Sequence, residues 1–408
     1  MMKKVYYRQW SVDDSVYWMI LGFLALVAAV GGLSSLYMEH FGHWVTGMNN
    51  QVVWGIPHVF AIFLIVAASG ALNVASIGSV FGRASYKPLA RLSALLSIAL
   101  LVGGLLVLVL DLGRPDRLEV AMTNYNFKSI FAWNIYLYSG FLAIVVVYLW
   151  TMMERSANGY SKSAGLFAFV WRLALTTGTG SIFGFLVSRQ AYDSALLAPM
   201  FIIMSFSFGL AIFILVMMLL YHLDGGKIGQ GLFSRLKNLL GVFVAAVLYF
   251  MAVYHLTNLY AAKKDAVEYF LLFNGGIYSR LFWIGHVFVG SLLPLGIIHH
   301  PVLGKSRKWI AGACGMVVLG GLAIVYVIVV GGQAFPMQLF PDMTLLDSGF
   351  YDGVQGAVAG YNPTMPEFLL GLGGAAVALA ITAVGVRVLQ FLPESLEDDH
   401  PITNQESG

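Results

Sequence analysis

Seven polar side chains stand inside or at the edges of long apolar runs: His58, Asp111, Asn134, Tyr136, His255, Asn258 and His286. Imidazole, carboxyl, phenol and carboxamide groups all make hydrogen bonds, and the first three also take up and release protons. Inside a membrane helix such groups are costly, so each is a functional candidate, with a hydrogen bond between helices as the plain structural alternative. The imidazoles carry a further possibility, since His58, His255 or His286 paired across facing helices could act as axial ligands to a b-type haem. His40 and His43 fall in a loop near the water and read as interfacial. So do His222, His299 and His300 at helix ends.

Two other stretches hold chemistry. The run WRLALTTGTGSIFGFLVSRQAYD carries Arg172, Thr176, Thr177, Thr179, Ser181, Ser188 and Arg189 along what reads as one span, too polar to face lipid. Its hydroxyls either satisfy backbone carbonyls in a packed helix or line a hydrated proton route with Arg172 at its inner mouth. The run DLGRPDR places Asp111, Arg114, Asp116 and Arg117 at the end of an apolar helix. There Gly113 and Pro115 suit a helix stop, and the charges suit contact with a partner.

The elements that must position these groups are membrane spans. The 408 residues are 59% hydrophobic and 11% charged, whereas soluble domains carry about 25% charged residues. Mean hydropathy is +0.79. A span needs roughly 20 apolar residues. The sequence offers helices near 16–38, 53–81, 90–111, 129–150, 165–190, 196–222, 236–260, 277–299, 309–332 and 366–391. This predicts an all-α polytopic membrane protein of about ten transmembrane helices, residues 1–408 forming a single integral membrane domain. Of the 23 Lys and Arg residues, fourteen fall on the side of the termini and seven on the other, which places both termini in the cytoplasm and makes 333–365 a periplasmic loop and 392–408 a cytoplasmic tail.

The single cysteine, Cys314, excludes a disulfide, a covalently attached c-type haem and an iron–sulfur cluster ligated by this chain alone. No ligand set for a metal is evident, and no basic patch interleaved with aromatics suggests nucleic acid. The sequence reads as an internal repeat, with chance likeness between Leu-rich helices as the plain alternative. Arg91-Leu92 and Leu95-Leu96 align with Arg235-Leu236 and Leu239-Leu240 at an offset of 144, and Ser129, Trp133 and Gly140 align with Ser279, Trp283 and Gly290 at 150. The repeat predicts two parallel four-helix bundles, 53–190 and 196–332, with a peripheral helix at each end of the chain. It pairs Asp111 with His255 and Tyr136 with His286.

The run SGALNVASIGSVFGRASYKPLARLSALLSIALLVGGLLVLVLDLGRPDR, above all YKPLAR and DLGRP, resembles the NrfD/PsrC family, membrane subunits of polysulfide-reductase-like respiratory complexes. The extra first and last helices, WVTGMNNQVVWGIPHVFAIF and TNYNFKSIFAWN look most like the DsrP branch, from the Dsr electron-transfer complex of sulfur metabolism. The resemblance implies a quinone or quinol oxidoreductase site, active only within a complex of several subunits in a prokaryotic cytoplasmic (inner) membrane. The quinone, menaquinone or ubiquinone, would meet His58, Asp111, Asn134 and Tyr136 in the first bundle, with His255, Asn258 and His286 as second-bundle candidates. The implied partners are a periplasmic four-cluster ferredoxin-like iron–sulfur subunit, contacted through Arg114, Asp116 and Arg117, and the other Dsr membrane, cytochrome c and cytoplasmic subunits. Arg172, Thr176, Thr177 and Thr179 would form the proton path. The family's subunits generally lack haem, so b-type haem is not expected. A secondary transporter is the rival class, since it also shows repeats and buried polar groups, but it would place them at mid-depth.

Overall fold

In a computed structural model, residues 5–336, 360–394 and 396 are described. Ten helices there are long and apolar enough to cross a membrane. They are α1 (Asp14–Phe41), α2 (Ile56–Ser79), α3 (Ala84–Leu110), α4 (Ile130–Met153), α5 (Asn158–Gly184), α6 (Leu197–Leu223), α7 (Gln230–Tyr260), α8 (Ile277–His299), α9 (Arg307–Ala334) and α10 (Met365–Val388). The protein is an all-α, multi-pass integral membrane protein. Spanning segments of this kind satisfy every backbone N–H and C=O within themselves, as lipid requires. Their starts carry local signals. Asp13 Oδ1 accepts from Ser15 N at 2.8 Å, Ser129 Oγ from Ala132 N, and Thr364 with Glu367 forms a reciprocal capping box.

Helix α2 packs on α3, α3 on α4, α4 on α5 and α5 back on α2, while α6, α7, α8 and α9 close a second ring in the same way. The rings meet where α6 lies against α2 and α5. Glycine makes that seam possible. A Cβ on Gly70 would fall inside the radius of the Ser205 carbonyl oxygen, and one on Gly209 would strike the backbone of Gly70 and Ala71. Close backbone approach through small residues is how helices associate where lipid removes the hydrophobic drive. Helix α10 packs on α3 and α2, and α1 packs on α10, with Gly31 facing Gly373.

The two ends of the described structure meet. Strand β1 (Tyr7–Arg8) pairs antiparallel with β2 (Leu392–Pro393). Arg8 forms an ion pair with Asp224, and Arg387 binds Asp14 and the carbonyls of Trp10 and Val12. Both ends of the described structure therefore lie on the same face of the molecule, called the terminal face. The opposite face is called distal below.

The expected helix ends move by up to seven residues, and two of the shifts bear on the site. The span read as 165–190 begins earlier and ends at Gly184, because the backbone must turn there to carry Arg189 across to the carbonyls of Gln51 and Gln333, at 2.8 and 2.9 Å. Ser188 and Arg189 thus lie outside the helix. The loop read as 333–365 starts later, since Gln333 is fully buried within α9. Residues 337–359 of that loop, and residues 395 and 397–408 of the 392–408 tail, lie outside the described residues.

Candidate functional site

At the distal face the segment before α2 is held from three sides. Asn49 Oδ1 accepts from the backbone N–H groups of Gln51 and Val52, at 3.0 and 2.8 Å. The Gln333 side chain accepts from Val53 N and Trp54 N and donates to Trp54 O, its fourth bond returning to Val329 O of its own helix. Tyr361 OH accepts from Ile56 N at 2.7 Å and donates to the buried carboxylate of Glu367 at 2.6 Å. Burial, with Glu367 alongside, holds the Tyr361 phenol protonated well above its usual range. Glu367 also accepts from Gly47 N and Thr364 N, so the first distal loop, α2 and α10 share one carboxylate.

This frame fixes His58, the third residue of α2. Its ring stacks on Trp54 at 6.2 Å, and Trp54 packs on Phe131 and Phe183. His58 Nδ1 lies 2.7 Å from Oδ2 of Asp111, the residue that ends α3, whose side chain is wholly buried. The geometry of this approach is not that of a linear hydrogen bond. His43 Nε2 stands 4.0 Å from the other carboxylate oxygen. These residues, with Trp44, Asn49, Val53 and Gly113, line a cavity of about 480 Å³. Its wall combines aromatic surface with a carboxylate flanked by two imidazoles, the makings of a slot for a flat ring that exchanges protons.

The other first-bundle candidates are elsewhere. Tyr136 is exposed and donates to Met122 O at 3.1 Å, beside Tyr125; its depth along α4 suits the cavity but its face of the helix does not. Asn134 is buried and bridges α4 to α5 by donating to Ile130 O and Gly178 O. Asp111 was expected to cap α3 with its neighbours. Its backbone does so, but its side chain turns inward to His58, while Arg114 and Asp116 form an exposed two-pronged pair at 3.0 and 2.9 Å that holds the Asp116 carboxyl below its usual range.

In the second ring, His255 and Asn258 converge on Glu268. His255 Nδ1 is 2.5 Å from Glu268 Oε2 and Asn258 Nδ2 donates to Oε1 at 2.7 Å. Glu268 is fully buried on the short helix Asp265–Tyr269, in the connection between α7 and α8. Nearby, Lys264 donates to the carbonyls of Tyr192 and Asp193, and burial pushes its ammonium below the usual range. Sequence reasoning missed Glu268, although a lone carboxylate in the apolar stretch AVEYFLLFNGG was the available signal. His286 sits on the π-helical stretch of α8 (Leu281–Leu292), with Nδ1 3.2 Å from Gly320 O. The cavity beside His255 is about 20 Å³, space for one water.

Arg172 is fully buried and meets no carboxylate among the described residues. Its guanidinium donates to Asn73 Oδ1 at 3.0 Å and Ser69 O at 3.4 Å and lies between the rings of Phe169 and Phe206. The Ser69 and Thr176 hydroxyls are 2.6 Å apart, and Tyr138 and Thr179 are 3.2 Å apart. Arg172 is enclosed at the middle of α5 rather than open at an inner mouth.

The fold and the distal cavity define a helical membrane protein with a buried imidazole–carboxylate couple at one face. The profile of the family described as polysulphide reductase, NrfD matches residues 44–337, and the protein belongs to that family. The match runs from the loop after α1 to just past the end of α9, leaving α1 and α10 outside it. The sequence is 28% identical, over 96% of its length and 97% of the relative's, to the Hdr-like menaquinol oxidoreductase integral membrane subunit of Archaeoglobus fulgidus. It is 29% identical to a putative dimethyl sulfoxide reductase membrane subunit of Halobacterium salinarum, over 90% of each protein. It is 21% identical to the menaquinone reductase integral membrane subunit of Nitratidesulfovibrio vulgaris, over 81% of this sequence and 84% of the relative's.

The Gln333 clamp is open to a direct check. Gln333→Leu leaves the Val53 and Trp54 N–H groups without their acceptor, a loss of about 1–3 kcal/mol. Amide exchange at residues 53–58 should then accelerate by about five- to 150-fold. Unchanged exchange there would show that another contact holds the segment.

Proposed function

We propose that this protein is the quinone-exchanging membrane subunit of a respiratory redox complex, and that the quinone ring enters the distal cavity beside His58 and Asp111. The observation that carries the reading is the 2.7 Å approach of His58 to a wholly buried carboxylate in the wall of that cavity. A bound quinone supplies two-electron, two-proton redox chemistry. His58 presents its free ring edge to the cavity as hydrogen-bond partner for a carbonyl oxygen, and Asp111 stabilises the imidazolium whenever a proton rests on His58. His43, on the rim and half exposed, passes protons between this couple and water. Trp54 supplies the flat apolar wall. The names of two relatives, a menaquinol oxidoreductase and a menaquinone reductase subunit, support the reading and favour menaquinone.

On this reading the distal face is periplasmic, both termini are cytoplasmic, and the exposed Arg114–Asp116–Arg117 turn beside the cavity meets an iron–sulfur partner of the Dsr type. The α2–α5 and α6–α9 rings are then a duplicated pair of bundles. Asp111 and His255 each lie twenty residues beyond the matched arginines Arg91 and Arg235, and each engages a carboxylate–imidazole pair. Protons would travel past the enclosed Arg172 along Thr176 and Thr179 with their hydroxyl neighbours Ser69 and Tyr138, whereas Thr177 is exposed on the outer side of α5 and stands apart from them.

A photoreactive azidoquinone tests the site. After illumination of the intact complex, label should fall on residues 43–58 and 111–113. Label confined to α7 and α8 would instead assign the ring to the His255–Glu268 cluster.

A further inference from the structure

Most of the wall of the distal cavity comes from one stretch of chain, residues 43–58, and that stretch is gripped at two places. Gln333 holds Val53 and Trp54. The second grip belongs to Glu367 on α10. Its Oε2 accepts from Gly47 N at 2.9 Å, next to Met48 in the cavity wall. Its Oε1 accepts from Tyr361 OH at 2.6 Å, and that hydroxyl accepts from Ile56 N at 2.7 Å, two residues before His58. One carboxylate thus ties down both ends of the segment 47–56.

A helix cap does not require this. The glutamate of a capping box serves the N–H of its own N-cap residue, here Thr364 N at 2.7 Å, and needs nothing from another element to do so. Glu367 is instead fully buried, and its partners among the described residues are the neutral donors of Gly47, Tyr361 and Thr364. A buried carboxylate depends on such donors to offset its desolvation, so the two that come from outside α10 are held firmly. The packing is as close as the bonding. A Cβ added to Gly47 would strike the carbonyl of Asn362, and one added to Gly55 would strike the Tyr361 hydroxyl and the Glu367 carboxylate. Glycine at these two positions lets the segment 360–367 press against both ends of the wall. Glu367 lies beyond residue 337, where the family match ends, so this grip comes from a part of the chain outside that match.

We propose that Glu367 is a positioning residue for the quinone site: holding Gly47 directly and Ile56 through Tyr361, it sets the width of the distal cavity and so the affinity for the ring. This role rests on the quinone reading of that cavity. The His58–Asp111 couple and the Trp54 backbone are held by other contacts, so a loosened wall weakens binding while the groups that exchange protons stay in place. Binding lost equally from substrate and transition state raises KM and leaves kcat as it was.

Steady-state kinetics of the intact complex with a soluble menaquinol analogue test it through three variants. Tyr361→Phe keeps the ring and the cap but cuts the link to Ile56. Gly55→Ala wedges the same link apart, at a backbone φ of −93° that alanine adopts freely. Each should raise KM by about tenfold, the order of one hydrogen bond, with kcat little changed. Amide exchange at Ile56 should quicken in both. Thr364→Ala, which weakens the cap of α10 but leaves the bonds to Gly47 and Tyr361, should keep KM unchanged. An unchanged KM in Tyr361→Phe and Gly55→Ala would overturn the proposal, as would a fall in kcat alone. An equal rise of KM in Thr364→Ala would also overturn it, by assigning the effect to the helix cap. The quinone reading fails by a different result, undiminished turnover when His58 and Asp111 are both replaced, so the two failures are told apart.

Discussion

Replacing His58 by leucine together with Asp111 by asparagine is expected to lower quinol-linked electron transfer by about ten- to 150-fold while the complex assembles normally. The magnitude is that of one hydrogen bond to a charged group, about 1.5–3 kcal/mol, read as a rate. The pairing matters. His58→Leu alone would leave the wholly buried Asp111 carboxylate facing an alkyl group 2.7 Å from where its partner stood. An uncompensated buried charge costs about 3–5 kcal/mol, so the single variant would confound lost chemistry with lost stability. Neutralising Asp111 at the same time removes that charge and keeps the side-chain volume. Steady-state turnover with a soluble menaquinol analogue, set against the amount of assembled complex, reads the effect. Undiminished turnover in the double variant would move the site away from the distal cavity, and the His255–Glu268 cluster would be next.

The second large effect is structural. Gly209→Val should abolish recovery of folded protein, because a side chain there collides with the backbone of Gly70 and Ala71, which cannot rotate out of the way. Overpacking usually costs about 1–3 kcal/mol when side chains can yield, and here two helix backbones would have to separate along the seam that joins the rings. Gly315→Ala on α9 is the matched control, since a Cβ there meets nothing within 4 Å. Detergent-extracted, monodisperse yield separates the two. If Gly209→Val survives extraction as well as Gly315→Ala, the α2–α6 approach is looser than the structure has it.

What was legible in the sequence follows from what lipid makes obligatory. Each span had to be a run of apolar residues, so all ten stood out from composition, with ends displaced by a few residues. His58 and Asp111 stood out because polar groups at span ends are conspicuous against such runs. Facing was harder to see. Tyr136 has the depth of the cavity but points to the far side of α4, and the weak amphipathicity of a helix apolar nearly all round gives no orientation to read. Glu268, Gln333, Tyr361 and Glu367 escaped for another reason. They act from connections and helix ends, whose partners are set by long-range packing: Gln333 meets Trp54 across nearly 280 residues of sequence, and Glu367 meets Gly47 across 320. The charge at Arg189 read as part of a span because its run of neighbours is apolar, yet its hydrogen bonds to Gln51 and Gln333 pull the backbone out of helix.

The pairing of β1 with β2 and of α1 with α10 sets a condition on biogenesis. Helix α1 leaves the ribosome before the other nine described spans, yet its packing partner is the last of the ten made, and most of α1 is exposed even in the finished protein. Translation at about 5–20 residues per second puts between about 17 and 70 s between the completion of α1 and that of α10. For that interval the first span waits in the bilayer without its neighbour, and the N-terminal strand has no strand to pair with. A stalled or truncated product would therefore display an orphaned first helix with Gly31 bare on its surface. That is the kind of exposed small-residue face by which quality-control proteases and insertion chaperones could tell an unfinished copy from a complete one.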